Sequence, residues 1–587
     1  MATKGRNNWL TVVALDLGTT FSGYAFSHRS DFEMNPMKIM SNDWSAEGVH
    51  NAELKAPSVL LLNPDQSFNA FGYRAQSEYG NLVEDDPDKA ATYYYVKSFK
   101  MQLHNREISL NMDIIDNTGK DVKAIKVFTE SIRFLKDHFL TMFTSHGLGA
   151  FEPSDVLFVI TVPAIWSDAA KQFMRVASEQ AGIESSQMIL AYEPEAAALY
   201  CSILPEDHGI AKYFQVGRRL MIVDLGGGTA DITVVKVIQR EEKLTFIEHV
   251  YRVTGGAWGG NQVNRNYEKF LEKVFSIDIM EKFRKEHFHL YLEMMKDFEV
   301  QKKTLSVAGD KKYVSVKISG ELNELYMEQR GKNIKKVLEE HLSNKVKISG
   351  DKLRFEVEIF KKFFQDCVKE IIQHINETFA KRGCAFPSAM ILVGGFSDAP
   401  VIRDEITKAF PVIRDVVSPI ASSLAVLKGS VVFGHKPNIV TGRVCRETLG
   451  ISLHRDFVPD KKGNRKSTIK IDGTLHLDKS FLKVFAVNEI VKLGQIRTVE
   501  MEDQHHDEDS RKQPKVVEVY ASQREDPQYI TDEGCTLRGK VTVHPPNGQW
   551  PKSAEGLIEM EAGGTEIIVR YRDKKTQQVT EEKIDFM

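Results

Sequence analysis

Residues 221–235 read MIVDLGGGTADITVV, and the reading of this stretch decides the fold. An apolar run delivers Asp224, three glycines and Thr229 follow, and a second apolar run leaves. The same device stands near the start, in WLTVVALDLGTTFSGYAF, residues 9–26, where Asp16 precedes Gly18, Thr19 and Thr20. Both copies predict a β-hairpin rather than a strand-to-helix loop. Glycines let the chain fold back tightly and present consecutive N–H groups, which form an anion-binding nest suited to phosphate oxygens. Thr19, Thr20 and Thr229 add hydroxyl donors. Asp16, Asp224 and Asp231 would repel phosphates alone, but they suit a Mg²⁺ ion held largely through water. Two such hairpins facing each other would grip one triphosphate from both sides.

Working outward, strands and helices alternate. SDVLFVITVPAIW (154–166) reads as a strand buried on both faces. Ser167 is positioned to cap a helix that stops at Gly182, and MILAYEP leads into the helix EAAALYCSI. Helical spacing marks 127–143 and 358–380, the latter burying Phe360, Phe363, Phe364, Cys367, Val368, Ile371, Ile372 and Ile375. APSVLLLN (56–63) reads as one strand, SAMILVGGFSDAP (388–400) as a strand ending in Gly394 and Gly395, and SLAVLKGSVVFG (423–434) as a small-residue helix. This order points to α/β architecture with partly parallel sheets. Beyond Pro437 alternating runs such as KVVEVYASQ and TEIIVRYRD predict an all-β module, a sandwich of roughly 140 residues. Within it, residues 501–515 form a polar charge run read as a solvated loop, with a metal site at His505, His506 and Asp507 as the alternative.

With 587 residues, the chain is too long for one core. A formal net charge of -3 and 27% charged residues argue against nucleic-acid binding as the main role. Five cysteines, an odd number with no C-x-x-C pair, support neither a disulfide framework nor a zinc knuckle. No stretch approaches the roughly 20 apolar residues of a membrane span. A cytoplasmic protein is expected, with the nucleus as a second location. P-loop, Rossmann, zinc-peptidase and α/β-hydrolase motifs are absent from the sequence.

The ordered blocks ALDLGTTFSG, FVITVPAIW, ILAYEPEAAALY, IVDLGGGTADIT and ILVGGFSDAP resemble the ATPase domain of the 70 kDa heat-shock protein family, in the actin and sugar-kinase superfamily. VYASQREDPQYITDEGCTLRGKVTV and GGTEIIVRYRDKKTQQVTEEKIDF resemble its β-sandwich substrate domain. Phrases such as FKMQLH and VITVPAIW look like the divergent twelfth branch. The resemblance implies a two-lobed, actin-like ATPase of duplicated ribonuclease-H-like fold over 1–436, its second lobe from about residue 220. A linker at 437–449 and a sandwich at 450–587 without an α-helical lid would follow. It implies ATP or ADP with Mg²⁺, slow hydrolysis, and unfolded peptide, signalling-protein or co-chaperone partners.

Residue by residue, it places Asp16 and Asp224 at the Mg²⁺ and Gly18, Thr19 and Thr20 in the first phosphate loop. Gly226, Gly227, Gly228 and Thr229 fall in the second loop, and Asp231 beside the attacking water. Glu193 matches the acid that senses the metal shell, and Lys100 the lysine that positions water, with Lys97 as alternative. Gly255, Gly256, Glu299, Lys302, Lys303, Ser306, Gly394, Gly395 and Phe396 match the rest of the nucleotide site. Asp398 stands where the family has an Arg against adenine, which removes a cationic stacking plane. The linker offers only Ile439 and Val440 in place of a leucine run. Two further readings remain: a nucleotide-sensing scaffold with negligible hydrolysis, and a metabolite kinase of the same superfamily.

Overall fold

The computed structural model describes residues 9–44, 54–145, 152–305, 312–342, 345–381, 383–456, 468–471, 474–504, 507–545 and 548–583. The chain forms two compact units. One comprises 1–166, 173–245 and 253–439; the other comprises 167–172, 246–252 and 440–587.

The first unit is built on one sheet pattern used twice. In its first occurrence Thr11–Leu17 and Phe21–His28 form an antiparallel hairpin, and Val156–Val162 and then Met188–Tyr192 add in parallel. In the second, Arg219–Leu225 and Ala230–Arg240 form the hairpin, and Ala389–Val393 and Val416–Val417 add in parallel. The inner parallel strands, Val156–Val162 and Ala389–Val393, are apolar at nearly every position and buried throughout, as central strands covered on both faces must be. Hairpin register sets what faces each aspartate: Asp16 lies opposite Gly23, whereas Asp224 lies opposite Asp231.

Two helices of small residues, Glu193–Ile203 and Ala425–His435, cross in this unit at backbone contact. A methyl group on Gly429 would come within 1.7 Å of the Ala196 carbonyl oxygen, and one on Gly434 within 2.4 Å of Val12 Cγ1. The small residues of both helices are therefore spacing constraints, because only short side chains let the axes approach so closely. The expected helices appear as Ala124–Ser145, Asp168–Gln180 and Val357–Phe379. The Ala170 N–H donates to Ser167 Oγ at 3.2 Å, the capping arrangement read from the sequence. Ile372 is half-buried rather than part of the core.

Residues 56–63 do not form one strand. Ala56–Pro57 pairs with Phe21–His28, while Val59–Leu62 pairs with Phe68–Phe71 and Tyr94–Lys97. The break falls at Ser58, whose N–H donates to the Thr20 carbonyl and whose hydroxyl donates to the Gly18 carbonyl at 2.7 Å. Periodicity cannot register such a change of partner.

In the second unit, five antiparallel strands run in the order Thr468–Ile471, Thr474–Phe485, Thr448–Asp456, Lys515–Ser522 and Cys535–Val543. Four more follow the order Gln495–Gln504, Ser553–Ala562, Ile568–Asp573 and Val579–Lys583. Both sheets contribute to one core: Ile451, Val519 and Val541 from the first meet Ile558, Val569 and Tyr571 from the second around Trp550. The segment 437–449 is not an open tether, since Val440–Val444 pairs with Ile490–Lys492. The run 501–515 is also not one loop. Its first part completes the strand Gln495–Gln504, and Glu508–Lys512 forms a short helix capped by Asp507, so this module contains a helix. His505 and His506 lie outside the described residues. Among the described residues, no helix is long and apolar enough to cross a membrane.

Candidate functional site: two glycine turns around a carboxylate cluster

The first unit brings the two glycine turns face to face. A methyl group on Gly227 would come within 2.0 Å of Thr20 Oγ1, and one on Gly228 within 2.6 Å of Thr19 Oγ1 and 2.2 Å of Met101 Sδ. The second turn closes on itself through the Gly226 N–H to the Thr229 carbonyl, 2.9 Å. The segment Gly259–Asn261 then docks on it: the N–H groups of Gly259, Gly260 and Asn261 donate to the carbonyls of Gly228, Gly226 and Gly227. Thr20 Oγ1 donates to Asn261 Oδ1 at 3.1 Å, joining the first turn to that segment. Side chains at these glycines would collide with backbone or with the opposing threonines, so the motif's composition follows from the approach of the two turns.

Four acids and two lysines converge beside the turns. Asp16 Oδ2 accepts from Lys55 Nζ at 2.6 Å and Asp16 Oδ1 from Thr161 Oγ1 at 2.7 Å. Lys100 Nζ donates to Glu193 Oε1 at 2.6 Å and lies 5.5 Å from the Trp166 ring centre. The Ile165 N–H donates to Asp231 Oδ1 at 3.3 Å. Burial works against the charge on Asp16, but Lys55 and Lys100 beside it hold its carboxyl below the ordinary range. Glu193, which has Lys100 beside it but also Asp16, is raised, chiefly by burial. Asp224 is raised well above the ordinary carboxylate range by burial and then by the charges of Glu193, Asp231 and Asp16. Burial and Glu193 push Asp231 up to about 7. Four acids, three of them buried, against two bases form a site short of positive charge, and such strongly shifted groups cluster where chemistry is done.

Gly394 closes the floor with φ +83°, a left-handed conformation that favours glycine. Gly255, opposite Asp231 in register, is pressed against Ala230, where a methyl group would lie 2.1 Å from the carbonyl oxygen. A methyl group on Gly18 would lie 2.2 Å from the Phe21 carbonyl oxygen, and one on Gly256 would meet the Trp258 ring. A methyl group on Gly395 would make only an ordinary contact, 3.7 Å from Ser423 Cβ. On the far side, Lys302 is buried on the helix Phe288–Thr304 and donates to Glu299 Oε1 at 2.6 Å, Asn264 Oδ1 at 2.9 Å and the Gly260 carbonyl. Its ammonium lies 5.9 Å from the Phe396 ring centre. Burial pulls Lys302 below its usual range against the pull of Glu299. Lys303 lies over the Phe21 ring, and its charge acts on Asp398, which accepts from Ser422 Oγ at 2.6 Å. Ser306 lies outside the described residues. Lys97 does not join the carboxylates; its ammonium lies over the Tyr291 ring under the influence of Glu268.

Sequence reading missed Lys55, Thr161, Asn261 and Asn264. Asn261 ends the glycine-rich run GGAWGGN (255–261), whose composition is a local signal for a second close approach. Lys55 carried none, because its position follows from the pairing of Ala56–Pro57 with the return strand of the first hairpin.

Two sheets of matching strand order, each delivering an Asp-Leu-Gly turn to one carboxylate-lined site, define the actin-like, two-lobed ATPase class. The profile of the family described as Hsp70 protein matches residues 154–471, and the chain belongs to that family. Human heat shock 70 kDa protein 12A is 29% identical, covering 99% of this chain and 92% of its own. Human heat shock 70 kDa protein 12B is 30% identical, covering 98% and 91%. A chaperone protein HscA homolog from Rickettsia prowazekii (strain Madrid E) is 23% identical over 76% of this chain and 61% of its own. Members of the family bind ATP or ADP with Mg²⁺ and act as chaperones.

The residues present fit that ligand. Among the described residues no three His, Cys, Asp or Glu side chains could by themselves hold a metal ion. Mg²⁺ characteristically keeps several waters and takes one or two carboxylates together with substrate phosphates. Asp16 and Asp224, beside two glycine turns that a single Cβ would crowd, are of the chemistry that would hold it.

Proposed function

We propose that the first unit binds Mg·ATP between its two turns and hydrolyses it slowly, and that the C-terminal module, read as a β-sandwich, binds an extended peptide or a partner protein according to nucleotide state. The observation that carries this reading is the facing pair of turns at Gly18–Thr20 and Gly226–Thr229 with the carboxylate cluster beside them. When bound, Mg²⁺ supplies charge neutralisation between the phosphate oxygens. The turn N–H groups with Thr19, Thr20 and Thr229 would hold the phosphates, and Asp16 and Asp224 would hold the hydrated metal. Lys100, fixed by Glu193, positions the attacking water, and Asp231, with its pKa near 7, receives the proton. Gly255, Gly256, Gly394 and Gly395 give the nucleotide close backbone approach. Glu299, Lys302, Lys303, Phe396 and Asp398 surround the nucleoside.

The experiment is a calorimetric titration of ATP and ADP in Mg²⁺, followed by ATP turnover with and without an unfolded peptide. Binding with peptide-stimulated turnover is the expected result, and absence of binding to either nucleotide overturns the reading. A scaffold that binds ATP with negligible hydrolysis is favoured by one feature, the acidic Asp398 held by Ser422 at the nucleoside side. Binding without turnover selects it.

A further inference from the structure

The least expected group in the cluster is Lys55. Its ammonium lies 2.6 Å from Asp16 Oδ2, and the side chains of the pair are 15% and 7% exposed. This is a positioned cation and not a surface charge that has folded inward. Ala56 pairs with Ser22 and Pro57 with Phe21, so the residue before them is held alongside the first hairpin. Gly23 leaves room for it, since a methyl group there would lie 3.2 Å from Lys55 Cγ. Ser58 ties the same segment to the turn through the Gly18 and Thr20 carbonyls. The segment that carries Lys55 is thus fastened to the loop that would cradle phosphates.

Lys100 is committed to Glu193. Without Lys55, that one ammonium would face four acids, and a phosphate chain entering there would find, among the described residues, no other protein cation free to neutralise it beside the turn N–H groups. With Lys55, Asp16 is neutralised by the protein itself, and a flexible four-carbon stem lets the ammonium turn from carboxylate to phosphate.

We propose that Lys55 is a phosphate-binding residue that acts as a tethered cation: it pairs with Asp16 in the free protein, moves to the terminal phosphates of bound nucleotide, and reduces the dependence of nucleotide binding on divalent metal. This rests on the nucleotide reading above. No bond is made or broken; one ion pair is exchanged for another.

The test is titration of ADP into the full chain by calorimetry, once in saturating magnesium and once in EDTA, for wild type, Lys55→Met, Lys55→Arg and Gly23→Ala. Wild type is expected to lose no more than about tenfold in affinity when magnesium is removed, and Lys55→Met on the order of 100-fold or more. Lys55→Arg, which keeps the charge, is expected to stay near wild type. Gly23→Ala, which displaces the stem while keeping the ammonium, is expected to fall between and supplies the answer if Lys55→Met does not fold. Equal magnesium-to-EDTA ratios in wild type and in Lys55→Met, or in wild type and Gly23→Ala where Lys55→Met is unfolded, overturn the proposal while leaving nucleotide binding standing. Absence of ADP binding by wild type in magnesium overturns both.

Discussion

A methyl group on Gly394 would lie 2.4 Å from Asp224 Oδ1 and 2.5 Å from the Leu225 carbonyl oxygen. The strand Ala389–Val393 ends beside Asp224 in register, so the glycine that follows has no alternative position. Gly394→Ala combines left-handed backbone strain of about 1–2 kcal/mol with this collision. It is expected to lower the melting temperature by several degrees and to abolish nucleotide binding. Gly395→Ala, whose methyl group would meet nothing closer than Ser423 Cβ at 3.7 Å, is expected to leave the melting temperature unchanged while weakening nucleotide affinity. Thermal melts with and without ADP check both.

Lys100 and Glu193 stand or fall together. Lys100→Met leaves a buried carboxylate without its partner, a loss on the order of 3–5 kcal/mol. Lys100→Met combined with Glu193→Gln is expected to recover most of that stability and none of the hydrolysis. Single-turnover ATP hydrolysis should fall about 100-fold or more in both variants. Lys97→Met, away from the carboxylates, should hydrolyse at the wild-type rate.

The raised acids make the metal-free protein sensitive to pH in a defined direction. Asp231 moves from an ordinary 3.8 to about 7, so between these values the native state holds a proton that the unfolded chain has released. Stability therefore falls as pH rises through that window. Asp16 is shifted the other way, and its stabilising contribution is lost only as pH falls through and below the ordinary carboxylate range. Thermal melts in EDTA should show a higher melting temperature at pH 5 than at pH 8. Asp231→Asn should flatten that slope, and a slope as steep as wild type would remove Asp231 as its source.

In the C-terminal unit, Trp550 is 1% exposed, its indole N–H donates to the Gln513 carbonyl at 2.9 Å, and its ring meets Tyr571 edge-on. Trp550→Ala is expected to cost about 3–5 kcal/mol. Scanning calorimetry should show a transition for this unit moved to lower temperature, with ADP affinity of the remainder retained.

The fold was legible where one chemical signal repeated. Asp16 and Asp224 each stand between an apolar strand and a glycine turn, and hairpin, strand and turn follow from local sequence alone. The long helices were legible because Phe360, Phe363, Phe364 and Cys367 recur at one period. What escaped depended on distant partners. Ser58 splits an apolar run because the Thr20 carbonyl needs its N–H, and residues 501–504 join a strand because residues 553–556 lie beside them. Lys55 and Asn264 read as ordinary polar residues until tertiary pairing brings them to Asp16 and Lys302.

The duplicated hairpins are alike in backbone and unlike in what opposes each aspartate. Gly23, with Lys55 in the space above it, faces Asp16, and a second acid, Asp231, faces Asp224. A chain folded twice on one plan would otherwise present an elongated ligand with two equivalent ends. Here the approximate two-fold symmetry is broken in charge, a neutral ion pair of Lys55 and Asp16 on one jaw and two facing acids on the other, so the cleft has a polarity of its own. A molecule carrying its charge at one end therefore meets the two jaws unequally, and its two orientations differ in energy.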